Sequence, residues 1–171
     1  MDEQEKQYKL AFYKAVKDNQ IDTVKACLAE RPELVHAELI LGPTLHIAVK
    51  YGYRDMVEML LAHGADPNQG GGILGGNALN MAASRGQAEM VTLLLDHGAK
   101  METDDPQFNP LFSAIIEGST EAAKVVIDAG IDTSVSYTGD IMDHTDALSF
   151  AREWGRSEIV ELLETKKAQS S

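Results

Sequence analysis

Apolar residues recur along this chain in a fixed grouping. Met56, Val57, Leu60 and Leu61 fall at the one-, three- and four-residue steps that line one stripe of an amphipathic helix, and Met90, Val91, Leu94 and Leu95 repeat the grouping. Ahead of each stripe an alanine is followed four residues later by a glycine, in the pairs Ala48 and Gly52, and Ala82 and Gly86. The same pairing returns at Ala114 and Gly118 and at Ala151 and Gly155, with successive alanines 34, 32 and 37 residues apart. A repeated unit of two helices explains the pattern: the small alanine lets the helices approach closely, and the glycine takes the positive backbone angle that ends the first of them. One such unit cannot bury its apolar stripe alone, so the units must stack to form a core.

Aligned on these anchors, copy two runs from Leu45 to Asn68, copy three from Leu79 to Glu102, copy four from Leu111 to Ser134 and copy five from Leu148 to Glu164. Counting back from copy two uncovers a degenerate first copy, in which Phe12, Ala15, Asn19, Asp22, Val24 and Leu28 take the places of Leu45, Ala48, Gly52, Asp55, Val57 and Leu61. The reading is one all-α solenoid over residues 1–171. Its units lie at about 8–37, 42–70, 76–103, 109–134 and 145–165, joined by projecting hairpin-like loops and closed by polar caps at 1–7 and 166–171.

These residues resemble the ankyrin repeat family, whose unit is a turn, a short helix, a second helix and a projecting loop. The family's opening threonine-proline-leucine-histidine survives partly as Pro43-Thr44-Leu45-His46, with the first two transposed, and as Asn109-Pro110-Leu111-Phe112. Its glycine-alanine-aspartate loop is intact at Gly64-Ala65-Asp66 and altered at Gly98-Ala99-Lys100 and Gly130-Ile131-Asp132. The resemblance implies that the histidine at His46 hydrogen-bonds neighbouring turns, and that the protein works by binding another protein.

Composition narrows the setting. The formal net charge is −12, and residues 100–171 carry 14 acids against 6 bases. Such a field disfavours nucleic acid and anionic membranes and speeds encounter with a basic partner, although solubility alone also accounts for an acidic surface. No run of about 18 apolar residues is present, the start Met-Asp-Glu-Gln-Glu-Lys lacks the blocks of a secretory signal, and the lone Cys27 fits a reducing compartment. A soluble, cytoplasmic chain, monomeric in isolation, is expected.

Candidate chemistry is sparse. Gly70, Gly72 and Gly75 spell a dinucleotide fingerprint, but the motif needs a strand before it and a helix starting inside it, and Asp66-Pro67-Asn68-Gln69 reads as the end of a repeat loop. His36, His46, His63, His97 and His144 show no metal spacing, no serine has a predicted base, and the carboxylates of 132–146 miss the calcium-loop pattern. No catalytic residue, cofactor or metal is assigned, and the chain is read as a non-enzyme.

Binding residues follow from the repeat grammar. In the family the two residues before each helix-ending glycine are variable and face the partner; here they are Lys17 and Asp18, Lys50 and Tyr51, Ser84 and Arg85, Ile116 and Glu117, and Glu153 and Trp154. Tyr51, Arg85, Glu117, Glu153 and Trp154 are the candidates, with packing against the C-terminal cap as the other reading for Trp154. The loops add Ile73 and Leu74, then Asp104, Asp105 and Phe108, then Tyr137, Asp140, Ile141, Met142 and Asp143: apolar anchors in acidic surroundings. For Ile40-Leu41-Gly42 and Ile73-Leu74-Gly75 a second reading stays open, in which they are simply hairpin strands of the stack.

The short acidic array resembles compact stand-alone bacterial ankyrin proteins, some of which are immunity proteins. That resemblance implies a stoichiometric inhibitor of a basic toxin such as a nuclease; a cytoplasmic scaffold or regulatory adaptor is the alternative.

Overall fold

A computed structural model describes residues 3–39, 42–71, 76–139 and 142–169. Ten α-helices follow one another in pairs among these residues: α1 (Glu3–Lys17) with α2 (Ile21–Glu30), α3 (Thr44–Lys50) with α4 (Arg54–Ala62), and α5 (Ala78–Ala83) with α6 (Ala88–Asp96). Then come α7 (Pro110–Glu117) with α8 (Thr120–Asp128), and α9 (Ala147–Glu153) with α10 (Ser157–Gln169). Each first helix packs on the second of its pair, and α1, α3, α5, α7 and α9 pack in succession on one another. A 3-10 helix (Pro32–His36) leads into a short antiparallel hairpin of β1 (Glu38–Leu39) and β2 (Gly42–Pro43). A longer hairpin of β3 (Ser136–Gly139) and β4 (Met142–Asp146) precedes α9 and carries an irregularity between Tyr137 and Gly139. Residues 3–7 and 166–169, expected as polar caps, are helical and extend α1 and α10.

The alanine-to-glycine spacing has a single physical cause. In each pair the residue after the turn donates its N–H to the carbonyl of the anchor alanine: Tyr53 to Ala48 at 3.0 Å, Gln87 to Ala82 at 3.0 Å, Ser119 to Ala114 at 3.0 Å and Arg156 to Ala151 at 2.9 Å. This is the closure of a helix end through a left-handed residue, and that residue is Gly52, Gly86, Gly118 or Gly155, with φ from +64° to +79°. The degenerate first copy obeys it as well. Gln20 donates to Ala15 at 2.8 Å, and Asn19 takes φ +54°, a conformation asparagine tolerates better than most residues. Three of the second helices, α4, α6 and α8, end the same way, with Ala65 bonded to the Leu60 carbonyl, Ala99 to Leu94 and Ile131 to Val126. At two of these ends a histidine ring nitrogen, Nδ1 of His63 or His97, also bonds the carbonyl of Met59 or Leu93.

The second-helix stripes are buried as expected and are wider than four residues. Met59 joins Met56, Val57, Leu60 and Leu61 in the core, and Leu93 joins Met90, Val91 and Leu94, while Leu95 is only half-buried. Asparagine and aspartate begin the later first helices: Asn77 Oδ1 accepts from Asn80 N, Asn109 Oδ1 from Leu111 N, and Asp146 Oδ1 from Ser149 N. Asn77 also reaches the next loop, donating from Nδ2 to the Lys100 carbonyl at 3.0 Å. So Asn77 both starts α5 and ties its turn to the loop that follows α6.

Two predictions follow from these turns and this core. At Gly118 a Cβ would lie 2.7 Å from Arg156 Nη1, and that guanidinium is held by Nε to the Ile115 carbonyl (2.9 Å) and Nη2 to the Ile116 carbonyl (2.6 Å). Gly130 has a similar positive φ and nothing near it. In urea unfolding, Gly130→Ala should cost about 1 kcal/mol from backbone strain alone, and Gly118→Ala should cost about 2 to 3 kcal/mol because it also displaces the arginine.

His46 is buried in α3, and the Asn77 backbone at the turn before α5 acts on its ring, the neighbouring-turn contact that the resemblance implied, although no bond of full hydrogen-bond geometry reaches either ring nitrogen among the described residues. Burial pushes its pKa down to about 4, against a smaller opposing pull from the Asn77 backbone. The unfolded chain then binds the extra proton, so stability is full above pH about 6.5 and falls as the pH drops toward 4, by about 3 kcal/mol. Unfolding free energies of wild type and His46→Gln, compared across that window, should diverge from parallel by this amount.

Candidate functional site

The loop between α6 and α7 and the β3–β4 hairpin are built as a pair. In the first, Asp105 Oδ1 accepts from Gln107 N at 2.8 Å and the Asp105 carbonyl accepts from Phe108 N and Asn109 N, folding the loop into a tight turn that leads into Asn109 and α7. In the second, Tyr137 pairs with Thr145 across the hairpin, and both side chains are buried. The Tyr137 hydroxyl joins the loops: it donates to the Thr103 carbonyl at 2.6 Å and accepts from Asn109 Nδ2 at 2.9 Å. Burial raises the phenol pKa and the Asp105 and Asp104 charges add to this, while the Asn109 bond pulls it down. The neutral, hydrogen-bonding form is therefore secured at physiological pH.

Between the loops and the first helices lies a groove of ≈ 500 Å³. Phe112, Ile116 and Phe150 supply its apolar lining, Tyr137 and Met142 line it from the hairpin, and Asp104 and Asp105 line it from the loop opposite. The rings form a continuous row. Tyr137 meets Phe112 edge-on at 5.0 Å, Phe112 stacks on Phe150 at 4.6 Å, and Phe150 meets Trp154 at 5.6 Å. Exposure rises only at the end of the row, from 1% at Phe112 and 5% at Phe150 to 46% at Trp154, so Trp154 is both packed and accessible. Ile116, 47% exposed, offers a second apolar surface. The arrangement can hold an apolar group against Ile116 and Trp154, with the buried rings behind them, and a cation against the carboxylates.

Of the candidates, Asp104, Asp105, Tyr137 and Met142 are brought into this groove, and Trp154 joins it through Phe150. Tyr51, Arg85, Glu117 and Glu153 are exposed at the turns after α3, α5, α7 and α9, away from the groove lining. Asp143 is exposed on β4. Two expectations are corrected. Tyr137 is no projecting anchor: it is 9% exposed, because its hairpin register turns it inward with Thr145. Phe108 is half-buried, its ring lying 3.0 Å from where a Cβ on Gly76 would stand, so it packs on Gly76 instead of projecting. Ile73, Leu74, Asp140 and Ile141, together with Ile40 and Leu41, lie outside the described residues.

Phe112 and Phe150, the centre of the aromatic row, escaped the sequence reading as site residues. One signal was available. Phe112 stands in the register of His46 and Asn80, so a large apolar ring replaces a polar residue there. Before Gly70 the chain forms turns and no strand, and α5 starts only at Ala78, so the context a dinucleotide fingerprint requires is missing. No group of three or more potential metal ligands occurs among the described residues, and none of their helices is long and apolar enough to cross a membrane.

Removing the hydroxyl that joins the loops should loosen the groove without emptying it. Tyr137→Phe keeps the ring stack but strands the Asn109 amide and the Thr103 carbonyl, at an expected cost of about 1 to 3 kcal/mol. Amide exchange should then accelerate in the β3–β4 hairpin more than in α7, while a change confined to α7 would contradict the joining role.

No curated protein matches the chain in sequence. The profile of ankyrin repeats, three copies long, matches residues 1–71 and 45–137, and so covers most of the length. The recurring alanine-glycine turns, the stacked helix pairs and this match agree, and the chain belongs to the ankyrin repeat family.

Proposed function

We propose that this protein acts by stoichiometric binding of a basic protein, through the groove between the two loops and the exposed residues of the first-helix turns. Ankyrin repeats are protein-interaction modules, and the five helix pairs are read here as five units of one domain. The observation that carries the proposal is the groove itself: exposed Ile116 and Trp154, backed by the buried ring stack, beside the carboxylates of Asp104 and Asp105, neither of which is in an ion pair among the described residues. Aromatic residues in such settings concentrate binding energy, and carboxylates beside them select a cation from the partner. With a net charge of −12, the partner is basic, and inhibition of a basic toxin such as a nuclease, the immunity role, is the form of binding this charge favours. No chemistry of its own is assigned to the chain.

A pull-down from host lysate at low salt, with Trp154→Ala and Asp104→Lys/Asp105→Lys as controls, tests the reading. A single basic protein, lost in both variants, is the expected result. Several unrelated partners indifferent to both variants would point to an adaptor using another surface. With that partner purified, Trp154→Ala should weaken the complex by about 2 kcal/mol or more while the array stays folded. The association rate should also fall steeply between low and physiological salt.

A further inference from the structure

The turns after the first helices form a row whose charge changes sign partway along. In order of units its residues are Lys17 and Asp18, Lys50 and Tyr51, Ser84 and Arg85, Ile116 and Glu117, and Glu153 and Trp154. On these two residues alone the first unit balances, the second and third are positive, and the fourth and fifth are negative; the Arg156 guanidinium, beside Glu117 at Gly118, is engaged by the Ile115 and Ile116 carbonyls. Among the described residues none of Lys17, Lys50, Arg85, Glu117 and Glu153 takes part in an ion pair. The reversal is abrupt, for the Glu117 side chain lies against Gly86, the residue next to Arg85.

The positive end also has its own aromatic platform. Tyr51 stacks on Tyr53 at 5.5 Å and 18°, Lys50 Nζ lies 6.0 Å from the Tyr51 ring centre, and the Tyr53 hydroxyl donates to the Lys17 carbonyl. Tyr13 packs in the same neighbourhood, close enough for Tyr51 to raise its pKa alongside the larger effect of burial. The Tyr51 hydroxyl and the Lys50 ammonium group on one platform suit a carboxylate, whereas the aromatic groove with Asp104 and Asp105 suits a cation. An overall charge of −12 hides this division, because it averages the surface that a partner meets locally.

We infer that the partner's contact surface is bipolar: acidic side chains lie over Lys50, Tyr51 and Arg85, and basic side chains lie over Glu117, Glu153 and the Asp104–Asp105 loop. The inference rests on the proposed binding role of this face. It adds the direction in which a partner must lie, since reversing it would set acid on acid and base on base at both ends.

The test uses a synthetic peptide of three glutamates, a glycine-serine spacer of about twelve residues reaching on the order of 20 Å, and three arginines, with a nitroxide at either end. Amide signals of the labelled protein report which end lies where. The glutamate-end nitroxide should broaden Lys50, Tyr51 and Arg85, and the arginine-end nitroxide should broaden Glu117, Glu153 and Asp105. Lys50→Glu/Arg85→Glu should weaken binding by about tenfold and abolish the first pattern while keeping the second. If the arginine end maps as stated but the glutamate end broadens nothing specific, the bipolar inference is overturned and the docking face stands. If neither end broadens these residues, the docking reading falls with it.

Discussion

The hydrogen bond from the residue after each turn to the anchor alanine's carbonyl is the constraint on which this molecule depends. It fixes where a first helix ends and the direction in which the second sets out, so every pair presents the same two faces to its neighbours. Given that geometry, burial of the second-helix stripes and close packing through alanine require no further device. Without it the helices are too short to persist alone, for α3, α5 and α9 span no more than two turns each. The stack is therefore a consequence of turn chemistry first and of hydrophobic patterning second.

This ordering explains what could be read from the sequence. The turns were legible because glycine at a fixed distance from alanine is a backbone requirement written in residue identity, and the register was recoverable even in the first copy, where Asn19 fills the left-handed position. Helix stripes were legible from their period, within a residue or two at the edges. The groove was only partly legible. Its acidic rim and Trp154 lie where the repeat grammar places variable residues, but the Phe112–Phe150 stack joins residues 38 positions apart in different units, a contact that no local pattern encodes. Tyr137 was misplaced for a related reason. Whether a hairpin residue points out or in depends on its partner, and pairing with Thr145 turns it inward.

The same separation of levels bears on the electrostatics. Net charge is a property of the whole chain and governs long-range approach, but final docking is decided within a Debye length by the side chains that meet the partner. Along the turn row the charged side chains Lys17, Lys50, Arg85, Glu117 and Glu153 sit outside the closure bond and the core, so their charges can vary unit by unit without altering the stack. A row of equivalent places held by a uniform backbone can therefore carry a sequence of charges much as a keyboard carries distinct keys.

Arg156 gives this arrangement a consequence for the last pair of helices. It begins the second helix of that pair, yet it clasps the Ile115 and Ile116 carbonyls at the end of α7. In a one-dimensional stack each pair is held by the contacts to its neighbours, and this clasp is one of those that tie α9 and α10 to α7. Phe150 and Trp154, half of the aromatic row, belong to that unit. The proposed binding surface therefore exists only while α9 and α10 stay packed on α7. A partner that grips Trp154 would thus be coupled, through the arginine clasp, to the packing of one helix pair on the next.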